Sequence, residues 1–183
     1  MANIPAQWAT KIPTNMNPLA PTGFRFIITK LPKMQFYCQT VNLPSITLGE
    51  PEFSTPYSTI PIPGDKLAYG DLSIQFLVDE TLENYKAING WLVGLGFPVD
   101  NQQYTNFLAQ DQVAASSGSE YVKNTSDASL FILTNNNTES KIVTFKNMFP
   151  TSLESLTFTA VDSDVNYLIG NATFRYNYYI FEN

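Results

Sequence analysis

Leu72-Ser73-Ile74-Gln75-Phe76-Leu77-Val78 decides the fold class, because Leu72, Ile74, Phe76 and Val78 alternate with Ser73, Gln75 and Leu77. A period of two puts the first set on one face of a β-strand and the second on the other. Just upstream, Pro63-Gly64-Asp65-Lys66 predicts a turn, with proline setting one corner and glycine allowing positive φ at the next. Residues 44–63 read as extended chain punctuated by Pro56, Pro61 and Pro63. Each proline removes a ladder donor, which suits an edge strand.

Two more strands are predicted further upstream, Gly23 to Thr29, rich in β-branched and aromatic residues, and Met34 to Leu43, separated by Leu31-Pro32-Lys33. Their spacing fits a hairpin. In the second, Phe36, Cys38, Thr40 and Asn42 share one face and Tyr37, Gln39, Val41 and Leu43 the other; neither is wholly polar, so both are expected to be covered. Residues 1–22 carry Pro5, Pro13, Pro18 and Pro21 with little periodicity, as an extended arm would. Trp8 and Ile12 favour docking of that arm over a floppy terminus.

Downstream of Val78 the period changes to that of a helix over residues 79–95. Leu82, Tyr85, Ile88 or Asn89, Leu92 and Leu95 fall on one side. Asp79, Glu80 and Glu83 are placed in its opening turn, where carboxylates suit the helix dipole, and Gly94-Leu95-Gly96 with Pro98 ends it. Residues 98–128 form a long polar insertion, with a short helix from Tyr104 to Ala114 and open loop at Ser116-Ser117-Gly118-Ser119. Connections of this length are often functional, and an inter-subunit contact stands against a mobile insertion with no partner. The last third returns to strands at 129–134, 141–149, 156–161 and 168–181, with turns at Asn135-Asn136-Asn137 and Asp162-Ser163-Asp164. In the final strand Phe174, Tyr176, Tyr178 and Ile180 alternate with Thr173, Arg175, Asn177 and Tyr179.

Composition narrows the function more by exclusion than by motif. With 183 residues, 44% hydrophobic, the chain is long enough for one domain with a real core. No apolar run approaches the ~20 residues of a membrane helix, and the first residues lack a secretory pattern, so the expected compartment is a cytoplasm. The single cysteine, Cys38, agrees with reducing conditions. Sixteen acidic against ten basic residues give a net charge of −6, and the cations are scattered, so no cluster exists to displace counterions from nucleic acid. Histidine is absent, which removes Ser-His-Asp and Cys-His nucleophiles and most zinc sites.

The remaining candidate motifs have plainer explanations. Asp79, Glu80 and Glu83 could be paired carboxylates, but a helix N-terminus accounts for them without a cleft. Asp162-Ser163-Asp164 lacks the glycine and terminal glutamate of a calcium loop. Gly94 and Gly96 follow a helix instead of opening one, so they form no dinucleotide fingerprint. Asn-X-Ser/Thr triplets carry no weight without secretion. Cys38 is expected to be a small buried hydrophobe. The high aromatic content, 14%, serves β cores by default and exceeds core demand enough to hint at assembly.

Four segments in order resemble the tail tube proteins of contractile-tailed, T4-like phages, a family related in fold to the tube protein of type VI secretion. They are Phe36 to Pro44 followed by Gly49; Ile60-Pro61-Ile62-Pro63-Gly64-Asp65 feeding Asp71 to Glu80; Asn84 to Trp91; and Phe145 to Leu153 leading into Leu156-Thr157-Phe158 and the aromatic final strand. The order covers residues 23–182; the long insertion and the long N-terminal arm depart from the family pattern.

The resemblance implies a mainly β fold of two packed antiparallel β-sheets, a sandwich or open barrel, with one flanking α-helix at about 80–95. An arm at 1–22 and an insertion at about 98–128 are added to the domain 23–183. It further implies a structural virion protein without cofactor, six copies to a ring, inner strands joined into a continuous barrel, and rings stacked into a conduit for DNA ejection. The implied partners are further copies, the sheath protein and baseplate or terminator proteins at the tube ends. DNA passes without specific binding, and assembly takes place in the bacterial host cytoplasm. Candidate inter-subunit contacts are Trp8, Ile12, Pro56, Tyr57, Ile60, Ile62, Tyr104 and Phe107, and candidate lumen-facing positions are Ser73, Gln75, Thr173 and Asn177. A terminator ring, a baseplate initiator ring and, in a different class, a β-sandwich binding module of the virion remain open as alternatives; an enzyme comes last.

Overall fold

The computed structural model describes residues 17–96, 98–110, 124–159 and 167–182. The N-terminal sixteen residues with Trp8 and Ile12, the loop at Ser116–Ser119 and the turn at Asp162–Asp164 lie outside them. The chain runs β1 (Phe24–Ile28), a 3-10 turn (Pro32–Phe36), β2 (Cys38–Val41), β3 (Ile46–Leu48), β4 (Glu52–Ser54), β5 (Thr59–Pro61), β6 (Leu67–Tyr69), β7 (Leu72–Leu77), α1 (Glu83–Gly96), α2 (Asn101–Gln110), β8 (Ser126–Leu133), β9 (Glu139–Leu153), β10 (Ile169–Arg175) and β11 (Tyr178–Glu182).

Two antiparallel sheets share one strand. The first orders β1-β8-β9-β11 and the second β9-β10-β7-β2. Strand β9 switches between them at Asn147, whose φ of 56° is left-handed, a conformation that asparagine tolerates better than most residues. Asp127 fastens this corner: its carboxylate accepts the Asn147 N–H at 3.1 Å and the Lys146 ammonium at 2.6 Å. Strands that change sheets at bulges make the corners of two-sheet packings. The sequence-predicted final strand, 168–181, breaks opposite the same point. Tyr176 and Asn177 separate β10 from β11, and the Asn177 N–H bonds the Lys146 carbonyl at 3.0 Å.

The facing surfaces build one core. Phe26, Ile28, Leu130, Val143 and Phe145 come from the first sheet, and Leu72, Ile74, Phe76, Ala172 and Phe174 from the second. The alternation of Leu72, Ile74 and Phe76 is therefore an inward-facing set, as the sequence predicts, each side chain contributing roughly 1.5–3 kcal/mol on burial. Helix α1 adds Ile88 and Trp91, the indole N–H donating to the Asn124 carbonyl at 3.1 Å.

Several expectations are corrected. Strands β1 and β2 form no hairpin; they sit at opposite ends of the sheet path, because β1 pairs β8 and β2 pairs β7. Residues 32–36 make a 3-10 turn that sinks Met34 into the core and leaves Phe36 exposed; β2 leaves Gln39 and Thr40 in solvent, so its faces are not both covered. Helix α1 begins at Glu83, after a turn in which Leu82 takes a φ of 57°. Its buried line is Asn84, Ile88, Trp91 and Gly94, with Tyr85, Leu92 and Leu95 on the flanks. The short helix expected at residues 104–114 is present as α2, which begins earlier, at Asn101, and is described to Gln110, residues 111–114 lying outside the described residues. It packs against α1, where Gly94 lets the Phe107 ring approach to a distance that a Cβ would block. The predicted insertion ends early, since residues 126–128 already belong to β8, and residues 156–159 form no strand. The Asn135–Asn137 turn is borne out, with Asn137 left-handed at φ 58° and the Thr134 and Thr138 hydroxyls 2.6 Å apart.

Candidate assembly surfaces

Between β2 and β7 the chain leaves the sandwich as a long two-stranded arm. Its inner pair is β3 with β6 and its outer pair β4 with β5. The turn lies at Thr55-Pro56-Tyr57-Ser58, closed by Thr55 N–H to the Ser58 carbonyl at 2.9 Å and by the Thr55 hydroxyl, which accepts the Ser58 N–H at 3.0 Å. Sequence reasoning put the turn at Pro63–Lys66 instead. That segment is a bulge in the returning limb: Gly49 N–H bonds Lys66, Gly64 N–H bonds Gly49 and Ile62 N–H bonds Pro51. No described glycine has positive φ. Gly64 is required for closeness, because a Cβ there would collide with the Gly49 carbonyl.

The arm carries core-type side chains and buries few of them. Tyr57 is 99% exposed, Phe53 58% and Ile60 49%, and Ile46, Leu48, Ile62 and Leu67 are comparably open. Phe53 faces Ile60 across the outer pair, while Ile46 with Tyr69 and Leu48 with Leu67 face each other across the inner one. A shallow groove of about 280 Å³ runs along Leu48, Gly49, Glu50, Pro61, Ile62 and Pro63. A two-stranded ribbon is marginal by itself in water, and contiguous exposed apolar surface marks interaction sites. Pro56, Tyr57, Ile60 and Ile62, singled out from sequence, all lie on this arm; Phe53, Ile46, Leu48 and Leu67 were missed, although their alternation was legible.

The outward face of the second sheet is different in chemistry. Ser73 stands opposite Thr173, Gln75 opposite Asn171, and the Thr40 hydroxyl lies 3.3 Å from the Gln75 side-chain oxygen. Asn171 donates to the Glu154 carboxylate at 2.8 Å, and Arg175 pairs with Asp71 at 2.9 Å at the end of the face. Ser73, Gln75 and Thr173 are thus brought together, while Asn177 sits apart at the corner between β10 and β11. Of the two candidates on α2, Phe107 is half-buried against Gly94 with the Lys30 ammonium 5.0 Å from its ring, and Tyr104 is half-buried beside it on the same helix.

The carboxylates that the sequence offers for chemistry near the start of α1, Asp79 and Glu83, are engaged structurally. Asp79 accepts from the Thr81 hydroxyl at 2.5 Å, and Glu83 pairs with Lys33 at 3.0 Å. Only Glu83 of the three predicted carboxylates is in the opening turn of α1. The turn is held by Asn84, which no sequence signal indicated; its amide donates to the Leu77 carbonyl at 2.7 Å and its oxygen accepts the Asp79 N–H at 3.3 Å. Burial pushes the Cys38 thiol up to about 11, away from thiolate. Among the described residues no group of three or more His, Cys, Asp or Glu side chains is arranged to hold a metal.

A family model described as phage tail tube protein matches residues 4–182. The chain is 26% identical over 118 residues to the tail tube terminator protein of Enterobacteria phage T4, covering 64% of this chain and 58% of that protein, so it spans a little over half the length of that relative. Two solved structures share the fold. A chain of the anti-feeding prophage baseplate, 6-fold symmetrised, superposes with a TM-score of 0.59 at 11% identity, covering 92% of this chain and 97% of that one. A chain of the anti-feeding prophage tube-terminating cap gives 0.58 at 17%, covering 97% and 98%.

Proposed function

Because the chain belongs to the phage tail tube protein family, we propose that it is a non-enzymatic structural protein of a contractile phage tail, acting only as an assembly of copies. The exposed apolar arm carries this reading. Its Phe53, Tyr57 and Ile60 are left open by the described residues of the protomer, and a second copy supplies an interior for them. Trp8 and Ile12, outside the described residues, are further candidate contacts between copies. Ring closure also satisfies the open backbone edges of the sheets, which otherwise invite uncontrolled pairing. Six copies to a ring accords with the 6-fold symmetry of the baseplate whose chain shares this fold.

In that ring the face of Thr40, Ser73, Gln75, Asn171 and Thr173 lines the lumen. Hydroxyls and amides offer no fixed cation to phosphate, so DNA passes without the counterion release that drives binding. The α1–α2 side, with Tyr104, faces outward toward the sheath, and the ring ends meet further rings, baseplate or terminator proteins. Assembly takes place in the host cytoplasm and the product is a virion component.

A second reading has its own support: a terminator ring, favoured by the T4 terminator relative and by the cap chain of the same fold. A repeating tube subunit must match itself on both ring faces, a cap on one. Negative-stain images of the purified chain at high concentration separate them: open-ended tubes are expected for the tube and single rings for the terminator. A protein that stays monomeric at every concentration and in authentic particles overturns both.

A further inference from the structure

The arm's root is held by aromatic rings, and these rings sit at the corner where the two sheets meet. Tyr69, the last residue of β6, lies 5.9 Å from the Tyr176 ring and 5.7 Å from the Tyr179 ring, each edge-on. Tyr176 and Tyr179 in turn lie 5.1 and 5.6 Å from Phe145 in the core. The Tyr179 hydroxyl donates to the Pro44 carbonyl at 3.4 Å, tying the outgoing limb as well. Asn42 completes the root: its amide donates to the Asp71 carbonyl at 3.1 Å and its oxygen accepts the Ser73 N–H at 2.6 Å. The inner limbs close with Gly70 N–H on the Ser45 carbonyl at 2.9 Å.

Beyond this root, among the described residues, the arm packs mainly limb against limb. A ribbon of two short strand pairs, joined by a bulge at 62–66, is free to swing unless its base is fixed. Edge-to-face rings resist rotation because only certain mutual orientations keep the positive edge of one over the negative face of another. Tyr176 supports a clamping role in a further way. It is only 9% exposed, and its hydroxyl is buried with no hydrogen-bond partner among the described residues, so packing of the ring rather than a polar bond holds it there.

We infer that Tyr69, Tyr176 and Tyr179 form a clamp that fixes the direction in which the arm leaves the sandwich, and so set the strength with which copies join without touching the partner copy. The second half of that statement rests on the arm being the self-association surface; the first half stands without it. A pre-aimed arm loses less conformational freedom on docking than a swinging one, and that saving appears as affinity.

The test uses the full chain and two readouts. Amide hydrogen exchange in dilute protomer is followed at Asn42 and Gly70, whose N–H groups bond the Ser73 and Ser45 carbonyls at the arm's root and open when the arm swings; self-association is followed by sedimentation velocity. Tyr69→Ala is expected to speed exchange at these amides about tenfold or more, as local opening becomes easier, to leave β7–β9 exchange unchanged, and to weaken association by a similar factor. Tyr69→Phe is expected to restore both, because the ring does the clamping. Unchanged arm exchange in Tyr69→Ala overturns the clamp. Faster arm exchange with undiminished association overturns its role in joining copies. The double variant Phe53→Asp with Ile60→Asp tests the surface itself. If it associates like the parent, the arm is not the interface, and the exchange result still decides the clamp. A global fall in thermal midpoint without arm-specific exchange marks Tyr69 as ordinary packing and also overturns the proposal.

Discussion

Strand β7 and the arm are written in nearly the same residues and have opposite fates. In β7, Leu72, Ile74 and Phe76 alternate with polar neighbours and all three are buried. In the arm, Ile46 and Leu48 alternate about Thr47, Phe53 faces Ile60, and these side chains stay open to solvent. The difference is one of partners. Strand β7 has β10 and β2 beside it and the opposite sheet across the core, whereas among the described residues the arm's strands pair only with each other. Hydrophobic alternation therefore specifies a face that must be covered, without saying whether the same chain or another copy covers it.

The contrast is broken most sharply by truncating one ring on each side of it. Phe145→Ala, at the centre of the core, is expected to cost about 3–5 kcal/mol of unfolding free energy, whereas Phe53→Ala in the protomer is expected to stay within about 0.5 kcal/mol. Urea unfolding of dilute protein measures both, and comparable losses would mean that the arm belongs to the core. Next in size is association: Phe53→Asp with Ile60→Asp should weaken it at least tenfold, about 1.4 kcal/mol, with an unchanged urea midpoint.

Alkali should act on the sandwich. Burial raises Cys38 from 9.0 to about 11, and burial followed by the neighbouring Tyr179, Tyr69 and Asp71 raises Tyr176 from 10.0 to about 12. In the unfolded chain both groups lose their protons at lower pH than in the fold, so stability is fully present below pH 9 and declines between pH 9 and 12. Urea midpoints across that range should fall progressively, and a flat profile would contradict the burial of these groups. The smallest effect sharpens the clamp. Tyr176→Phe removes a buried hydroxyl that has no partner among the described residues and should stabilise the protomer by up to about 1 kcal/mol; a loss of that size would show that the hydroxyl is bonded.

The sequence made the strands with clean alternation legible, including β7, β8 and the start of β9, because one covered face leaves a period of two. What it hid lay where two local signals compete. Pro63-Gly64 has turn chemistry, yet the chain turns at Thr55–Ser58, where Pro56 at the second turn position is just as apt; only the pairing of Phe53 with Ile60 decides between them. Helix α1 was placed with its apolar line at Leu82, but Leu82 lies in the turn before it and Asn84 takes the buried position through hydrogen bonds, which periodicity cannot register. The sheet switch at Asn147 is a single residue's backbone conformation inside a continuous strand pattern. Of the candidate contacts, Tyr57, Ile60 and Ile62 could be found because proline-punctuated apolar chain is a poor central strand. Gathering Ser73, Gln75 and Thr173 on one face required only alternation, while excluding Asn177 required the break after Tyr176.

Hydroxyl-radical footprinting of Phe53, Tyr57 and Ile60, compared between dilute protomer and assembled particles, puts the arm's role to its most direct trial. Strong labelling in the protomer and deep protection in the assembly are expected if another copy covers these side chains. Equal labelling in both states would mean that the arm remains bare in the particle, and self-association through it would have to be given up.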